Sequence, residues 1–416
     1  MSKSGLRKLS KAPCPNCRSL GLVSFYESNR VPVHSVLLHR SRAEAIEYPR
    51  GDISLGFCKV CGFITNVEFD PGLQNYLTHN YEATQAFSDT FNSFHQNLAL
   101  RLISQYKLHG KKIIEIGCGQ GEFLDLLCNL GENHGIGFDP AYRDGQARNP
   151  ENGRVVIVKD YYSEKYASQY HADFICCKMT LEHIHDPYKL VSLLSSSTRN
   201  LPDTIIFFQV PNAQLILRDL AFWDIYYEHC SYFSLGSLSY LFQSCGFEVM
   251  NTSIEYDDQY LTIEARPRKT QGGYTPKNED YLPVLEQDLS FFQANYQETI
   301  STWRQRILKL SKSGKKVVLW GGGSKAVAFL HTLQLHKEIE FVIDINPNKN
   351  GTFIAGTGQK IVSPAHLNLY KPDMVIVMNP VYKAEVQRIL GKMEIFPEVV
   401  PLMSMPEQTI LETIAS

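Results

Sequence analysis

The sequence has no long apolar run and no excess of charge of one sign. No uninterrupted apolar stretch reaches the ~18 residues that a membrane-spanning helix needs. Basic and acidic residues nearly balance, at 41 and 43. The basic residues do not cluster, so neither a nucleic-acid backbone nor an anionic membrane is an expected partner. Residues 1–5 (MSKSG) lack the apolar character of a signal peptide, and we expect a cytoplasmic protein.

Tandem repeats and low-complexity segments are also absent from the sequence. A chain of 416 residues is too long for one typical core, and its length suggests two or three domains. Of the ten cysteines, Cys128, Cys176 and Cys177 fall on predicted helices or strands. We expect them to be reduced core thiols rather than members of a disulfide framework.

Two Cys-x-x-Cys pairs stand apart from these thiols, with about forty residues of short strand-like segments between them. Four thiolates satisfy Zn²⁺ completely and leave no open position, so the pattern predicts a structural zinc. Two unrelated thiol pairs, or a redox dithiol, are the alternative. His34 and His39 lie between the pairs and are expected to be surface residues. The predicted ligands are Cys14, Cys17, Cys58 and Cys61.

Residues 113–123 combine a buried strand, a tight glycine turn and the start of a helix, and the central part reads EIGCGQG. Glycine permits a positive φ and a close backbone approach to a ligand, and a helix that begins at Glu122 offers free amide N–H groups. The Gly-x-Gly-x-Gly spacing and the preceding carboxylate favour S-adenosylmethionine (SAM) over a dinucleotide. An ordinary strand-to-helix turn is the alternative. The predicted cofactor contacts are Glu115, Gly117, Gly119 and Gly121.

Apolar strand candidates alternate with helical segments after this loop, which predicts a doubly wound parallel sheet. The predicted strands are 113–116, 135–138, 155–158, 174–177, 204–210, 247–250 and 260–265. A helical apolar face at 87–106 precedes them, and a polar, turn-rich linker at 266–276 follows.

A second α/β unit begins after the linker, with a long helix predicted over 278–313. The predicted fold class is therefore α/β, with two tandem Rossmann-like doubly wound sheets preceded by a small zinc-binding module. The predicted domains are residues 1–75, 76–267 and 268–416.

Acidic and polar residues follow several strands of the first α/β unit. Asp139 follows the second strand, where a carboxylate can accept hydrogen bonds from a ribose diol, although Asp139 also fits a simple turn. Asp160 follows the third strand and could meet an adenine amino group or be a loop carboxylate. The segment Leu181, Glu182 and His183 resembles one in many class I SAM methyltransferases. There it mainly shapes the cofactor pocket, so we assign Leu181 and His183 to that pocket rather than to acid/base chemistry.

A denser polar cluster covers residues 226–229 (YYEH) after the fifth strand. Two phenols, a carboxylate and an imidazole could bind a polyhydroxylated substrate and move a proton, since histidine is the usual base near neutral pH. A polar loop without catalytic function is the alternative on composition alone.

A second glycine loop at 321–326 (GGGSKA) opens the C-terminal α/β unit, and Asp344 ends its next strand. This Gly-x-Gly-x-x-Ala pattern taken alone is typical of a dinucleotide site. The alternative is a nucleoside diphosphate held by loop amides, with Lys325 near phosphate. Asn379, which follows a later strand, is expected at the same crevice.

The order of these motifs, together with Tyr-x-Glu-His-x-Ser-Tyr-Phe-Ser at 226–234, resembles the sugar C-methyltransferases over essentially the whole chain. This family methylates a carbon of a nucleotide-activated keto-deoxysugar. The resemblance implies a structural zinc on the four cysteines, SAM in the middle domain, and the nucleotide sugar between the middle and C-terminal domains.

The resemblance also assigns residue roles. His229 would be the base, with Tyr226 and Glu228 catalytic or in contact with the sugar, and Tyr81 would match the tyrosine of a segment that covers the active site. The surroundings of Tyr81 depart from the serine-rich form of the family. The substrate contacts that follow from the C-terminal loop are Gly323, Ser324, Lys325, Asp344 and Asn379.

Three classes of function agree with the sequence. The first is a SAM-dependent C-methyltransferase that forms an enolate in a nucleotide keto-deoxysugar. The second is an O- or N-methyltransferase for another small molecule, or a methyltransferase fused to an NAD-type dinucleotide-binding module. The third is a nucleotide-binding scaffold without turnover. The sequence leaves the sugar, the nucleotide base, the stereochemistry and the oligomeric state open.

Overall fold

The computed structural model describes residues 7–8, 12–78, 80–143, 154–269 and 281–403. The strands are β1 (Arg7–Lys8), β2 (Val23–Pro32), β3 (Arg50–Phe57), β4 (Ile64–Asn66), β5 (Lys112–Ile116), β6 (His134–Phe138), β7 (Val155–Val158), β8 (Phe174–Lys178), β9 (Ile205–Pro211), β10 (Ser231–Tyr232), β11 (Phe247–Glu255), β12 (Tyr260–Pro267), β13 (Val317–Trp320), β14 (Phe341–Ile343), β15 (Lys360–Val362), β16 (Met374–Val377) and β17 (Glu398–Pro401). The helices are α1 (Arg42–Glu47), α2 (Asp89–Tyr106), α3 (Glu122–Gly131), α4 (Glu164–Ala167), α5 (Pro187–Thr198), α6 (Ala213–Arg218), α7 (Leu235–Ser244), α8 (Leu282–Lys312), α9 (Ser324–Leu333), α10 (Leu367–Tyr370) and α11 (Lys383–Lys392).

The first sheet is antiparallel, with the order β1-β2-β3-β4-β10. Its last strand comes from the middle of the chain, where Ser231 pairs with Thr65. The cluster at 226–229 therefore lies only two residues before a strand of this first sheet.

The short helix α1, which the sequence interpretation missed, lies between β2 and β3. It begins where the Ser41 side chain accepts a hydrogen bond from the Glu44 N–H.

The second sheet has the order β11-β12-β9-β8-β5-β6-β7. Its five central and edge strands β5 to β9 are parallel, and the hairpin β11–β12 adds two antiparallel strands. Helices α2 and α3 pack on one face and α5 and α7 on the other. Because both faces are covered, every residue of β8 is buried.

The third sheet is parallel throughout, with the order β15-β14-β13-β16-β17. The strand order reverses at β13, so a crevice forms outside the carboxyl ends of β13 and β16. Helix α8 connects this sheet to the first one, since Phe292 contacts the rings of Phe25 and Tyr26 while Trp303 contacts Phe329. One apolar core thus runs through both sheets.

The predicted fold class of two Rossmann-like sheets is confirmed, and the predicted strands of the second sheet agree with the structure except at β11. In the structure β11 extends to Glu255. The sequence did not predict this extension because β11 is an edge strand whose polar, solvent-facing residues give no apolar signal. The predicted linker was wrong at Arg266 and Pro267, which belong to β12. Its residues 270–276, and residues 278–280 of the predicted long helix, lie outside the described residues.

The domain boundaries at residues 75 and 267 stay predictions. Within the part of the chain that the structure describes, no helix is both long enough and apolar enough to cross a bilayer.

Candidate active site

The first glycine loop joins β5 to α3 through three residues with positive φ. Gly117, Gly119 and Gly121 have φ values of 68°, 58° and 87°. A Cβ at Gly117 would lie 2.0 Å from Oγ1 of Thr180, so only glycine fits there. The glycine turn between β5 and α3 is as predicted, whereas its contact with a cofactor stays a prediction.

Asp139 closes this loop from the end of β6. Its two carboxylate oxygens accept hydrogen bonds from the N–H groups of Gly119, at 2.8 Å, and Ala141, at 2.7 Å. Burial raises the pKa of Asp139, and these two bonds act against it. Asp160 is half exposed and accepts from the hydroxyl of Tyr166 at 2.6 Å. The cofactor roles of both residues stay predictions.

Glu115 lies beneath the loop and is 3% exposed. Burial raises its pKa, while the nearby Lys178 ammonium acts in the opposite direction. Lys178 ends β8 with its Nζ 2.8 Å from Nε2 of His95 and 3.8 Å from the ring centre of Phe123. We did not single out Lys178 from the sequence, although a charge at the end of the run FICCK was the available signal. The role of Glu115 toward an ammonium group stays a prediction.

A cavity of about 360 Å³ lies between the second and third sheets. It is bounded by the carboxyl ends of β8, β9, β13, β14 and β16 and by residues 81–88. The predicted site residues that line it are Tyr81, His183, Tyr226, Glu228, His229, Gly323, Ser324, Lys325, Asp344 and Asn379. Leu181 is buried and does not line the cavity. Nδ1 of His183 lies 3.2 Å from the hydroxyl oxygen of Tyr76.

His229 and Tyr226 face each other in this cavity. The Tyr226 hydroxyl lies 2.8 Å from His229 Nε2, and the ring centres are 4.1 Å apart. Burial, with help from the neighbouring His183 and Lys325, lowers the pKa of His229 well below its usual range. Tyr227 instead faces the core and accepts from the Asp70 N–H at 2.9 Å. The structure thus decides which of the two phenols reaches the cavity.

Glu228 is held by the first sheet. His34 Nδ1 lies 2.9 Å from one carboxylate oxygen, and the Ser35 N–H donates to the other at 2.8 Å. The expectation that His34 and His39 are surface residues was wrong, because both are 1% exposed. Burial alone would raise the pKa of Glu228, but its hydrogen bonds and the charge of His34 outweigh this effect and the net pKa is lowered.

Replacing His34 by glutamine should destabilise the protein by about 2 kcal/mol at neutral pH, because a buried carboxylate loses a partner. Because the pKa of Glu228 is lowered in the folded protein, the His34–Glu228 contact contributes to the free energy of unfolding at pH values above the pKa of an ordinary carboxyl group. This contribution is lost as the pH falls through the folded-state pKa of Glu228. Urea unfolding of wild type and variant across the acid range measures the difference. The exposed His336, changed to glutamine, is the control. A difference that stays constant with pH would contradict the assignment.

The segment after Tyr81 connects three parts of the molecule. Glu82 is fully buried and accepts from Arg143 at 2.7 Å, from Asn346 at 3.2 Å and from Asn348 at 2.9 Å. Thr84 donates to Glu122 at the start of α3 at 2.8 Å. Glu82 was missed because no local pattern distinguishes it, and it positions Tyr81 at the cavity wall.

Two lysines of the third sheet's unit line the cavity, Lys325 at the start of α9 and Lys349 after β14. Lys325 Nζ lies 2.5 and 2.6 Å from the two oxygens of Asp224, so its predicted place at phosphate competes with this pair. Asp344 accepts from the Gly322 N–H at 2.8 Å and pairs with Lys349 at 3.2 Å. Lys349 was not predicted, since it follows the strand by six residues.

The four predicted zinc ligands converge although they come from two separate turns. Sγ of Cys14 lies 3.7 Å from Sγ of Cys61, and Sγ of Cys17 lies 3.6 Å from Sγ of Cys58. All four sulfurs fall within 4.8 Å of one another. Tetrahedral zinc with Zn–S bonds of about 2.3 Å requires S···S distances of roughly 3.8 Å. The residues therefore fit a closed structural zinc site.

A second trio of possible ligand atoms belongs to Glu182, His183 and His229. Nε2 of His229 is already engaged by the Tyr226 hydroxyl. We therefore treat this trio as part of the cavity wall.

Comparison with known proteins agrees with this arrangement. Residues 90–252 match the family described as a methyltransferase domain, and residues 279–395 match the C-methyltransferase C-terminal domain. The C-methyltransferase NovU of Streptomyces niveus is 26% identical over 67% of this chain and 68% of its own length. A ubiquinone biosynthesis O-methyltransferase of Actinobacillus pleuropneumoniae serotype 7 is 28% identical, over 26% of this chain and about half, 49%, of its own length.

Among solved structures, a Burkholderia thailandensis 1,6-didemethyltoxoflavin-N1-methyltransferase with bound S-adenosylhomocysteine covers 44% of this chain and 82% of its own. Its identity is 14% and its TM-score 0.34, which is too weak to bear on function. The two matched domains and their order carry the assignment instead. These matches support the predicted resemblance: the chain is similar to SAM-dependent C-methyltransferases in both its methyltransferase domain and its C-terminal domain.

Proposed function

We propose that this enzyme transfers a methyl group from SAM to the carbon next to the ketone of a nucleotide-activated keto-deoxysugar. The observation that carries the proposal is the cavity between the two Rossmann-like sheets, which brings His229 and Tyr226 together with the second glycine loop. A substrate that fills it would have a carbonyl part at the histidine and an anionic part at the loop.

SAM, when bound, supplies an electrophilic methyl group. The residues proposed to hold it are Glu115, Gly117, Gly119, Gly121, Asp139, Asp160, Leu181 and His183. Two features support this fit: Gly117 packs so closely against Thr180 that no side chain fits, and Asp139 is fixed by the N–H groups of Gly119 and Ala141. Helix α3 begins beside them, and the N-terminus of a helix suits a carboxylate.

His229 would remove the proton next to the ketone. Its lowered pKa keeps the imidazole neutral at physiological pH, so the ring can accept the proton. The Tyr226 hydroxyl would orient the ring through its 2.8 Å contact with Nε2 and would rotate to accept from that nitrogen once it is protonated. Glu228 would hold the segment before His229 through its bonds to His34 and Ser35. The resulting carbanion then forms the new carbon–carbon bond.

The nucleoside diphosphate would lie at the C-terminal loop, in contact with Gly323, Ser324, Lys325, Asp344 and Asn379. Lys325, which pairs with Asp224 at the cavity wall, supplies one cation. Lys349 supplies a second cation beside Asp344. We propose that these cations offset the pyrophosphate charge.

A structural Zn²⁺ on the four cysteines would hold the turns on either side of β2 and β3 together. The proposed division into residues 1–75, 76–267 and 268–416 gives the zinc site, SAM and the nucleotide a unit each. No catalytic step depends on the metal in this proposal.

The decisive experiment has two arms with the same panel of thymidine and uridine diphosphate keto-deoxysugars: the enzyme with S-adenosylhomocysteine in deuterated water, which reports proton exchange, and the enzyme with SAM, which reports methyl transfer. Proton exchange next to the ketone, together with methyl transfer from SAM to the same carbon, is the expected result. Methyl transfer without exchange would instead indicate O- or N-methylation. Failure to bind SAM would indicate a scaffold, and binding of NAD at the second glycine loop would favour a dinucleotide module.

A further inference from the structure

Glu182 is a buried carboxyl group at the cavity wall. It lies in the single 3₁₀ turn Leu181–His183 after β8, is 1% exposed, and lines the cavity. Among the residues that the structure describes, none makes a hydrogen bond to either of its carboxyl oxygens. Burying a carboxylate without hydrogen bonds is unfavourable in free energy, so the group is either protonated or forms its hydrogen bonds with a bound ligand.

The two glutamates at this cavity have opposite environments. Glu228 has His34 and the Ser35 N–H as partners, and its pKa is lowered. Burial raises the pKa of Glu182 to about 8. Two carboxyl groups with pKa values pushed apart commonly have different chemical roles. Glu228 is therefore the ionised member of the pair and Glu182 the one that carries a proton near neutral pH.

The position of Glu182 relative to the base is also informative. Its Oε1 lies 4.0 Å from Nε2 of His229. When a base removes a proton from the carbon next to a ketone, negative charge develops on the carbonyl oxygen, which is only two bonds from that carbon. A group that stabilises this oxygen must therefore stand within a few ångströms of the base, and it must donate a hydrogen bond.

We propose that Glu182 is a catalytic residue whose neutral carboxyl group donates a hydrogen bond to the substrate's ketone oxygen as that oxygen becomes an enolate. This inference rests on the proposed function. The carbon–hydrogen bond breaks, its proton goes to His229 Nε2, and its electron pair forms the carbon–carbon double bond of the enolate. The carboxyl proton stays on Glu182 throughout. As the new bond to the methyl carbon forms, its bond to sulfur breaks, the carbonyl is restored, and His229 releases its proton to water.

Two variants of similar size separate a hydrogen-bond donor from a charged group. Glu182→Gln retains an N–H donor but can neither ionise nor transfer a proton, whereas Glu182→Met retains neither property. We expect the exchange rate next to the ketone to fall about 100-fold in Glu182→Met and less than about 10-fold in Glu182→Gln. Affinity for S-adenosylhomocysteine and the thermal midpoint, measured for both variants, report whether they are folded.

Three results would overturn the role of Glu182. An exchange rate of Glu182→Gln as slow as that of Glu182→Met would require a carboxylate rather than a hydrogen-bond donor. Glu182→Met could exchange at the wild-type rate, which would remove the residue from the reaction. Loss of wild-type exchange on chelation, with recovery on adding a divalent cation, would make Glu182 a metal ligand. A wild-type enzyme that transfers methyl groups without exchange would disprove the proposed function itself, a result seen without any variant.

Discussion

His229→Asn is expected to lower turnover by on the order of 1,000-fold while leaving SAM affinity unchanged. Asparagine keeps a polar side chain of similar shape near the Tyr226 hydroxyl but cannot accept a proton from carbon. The residue lines the cavity and is not part of the first glycine loop, so binding of the cofactor does not depend on it. Methyl transfer is measured by mass spectrometry of the product, and SAM affinity by calorimetry.

His336→Asn is the matched control for this experiment, since His336 is exposed and distant from the cavity lining. It should retain full activity. Normal turnover in His229→Asn would remove this histidine from the role of base. Tight retention of SAM together with loss of exchange next to the ketone would place the defect at proton removal rather than at methyl donation.

Cys14→Ser is expected to abolish binding of one zinc per chain and to destabilise the protein by several kcal/mol, because the binding energy of a structural zinc is folding energy. Cys14 is fully buried, and its sulfur meets Cys61 from the second turn at 3.7 Å. Asn16 connects the four-sulfur cluster to α7, since its side-chain amide donates to Cys61 Sγ at 3.5 Å and to the Ser237 carbonyl at 3.1 Å. Loss of the site should therefore also loosen the contact with α7.

Zinc content is measured by atomic absorption and stability by urea unfolding. Cys245→Ser is the control, because Cys245 is a free cysteine outside the four-sulfur cluster and should keep both zinc and stability. A zinc-free Cys14→Ser protein with wild-type stability would contradict a structural metal.

The sequence predicted the elements that depend on local pattern. The strand, glycine turn and helix at 113–123 could be identified because positive φ at closely spaced positions requires glycine, and the structure places the start of α3 at Glu122. The paired Cys-x-x-Cys turns could be recognised for the same reason, since their spacing is set by the coordination chemistry of the metal rather than by the rest of the fold.

The same reasoning failed for His34, Glu82 and Lys349. Two of them depend on a partner far along the chain, Glu228 for His34 and Asn346 for Glu82, whereas Lys349 pairs with the nearby Asp344. Whether a polar residue is buried with a partner cannot be decided by periodicity, because a lone histidine or glutamate looks the same on a surface and in a core. Hydrogen bonds and ion pairs are stronger in the low-dielectric interior than at the surface, but burial leaves no pattern in the neighbouring sequence that would predict them.

The sequence by itself determined the α/β class, the two glycine loops, the cysteine pairs and the residues of the cluster at 226–229. Only the tertiary structure decided that Tyr226 rather than Tyr227 reaches the cavity, that Asp224 pairs with Lys325, and that the Glu182 carboxyl group has no hydrogen bond from any residue that the structure describes. The physical reason is one of range: turn chemistry and periodicity act over a few residues. The charge and the hydrogen bonds of a buried side chain depend on whichever distant elements pack against it.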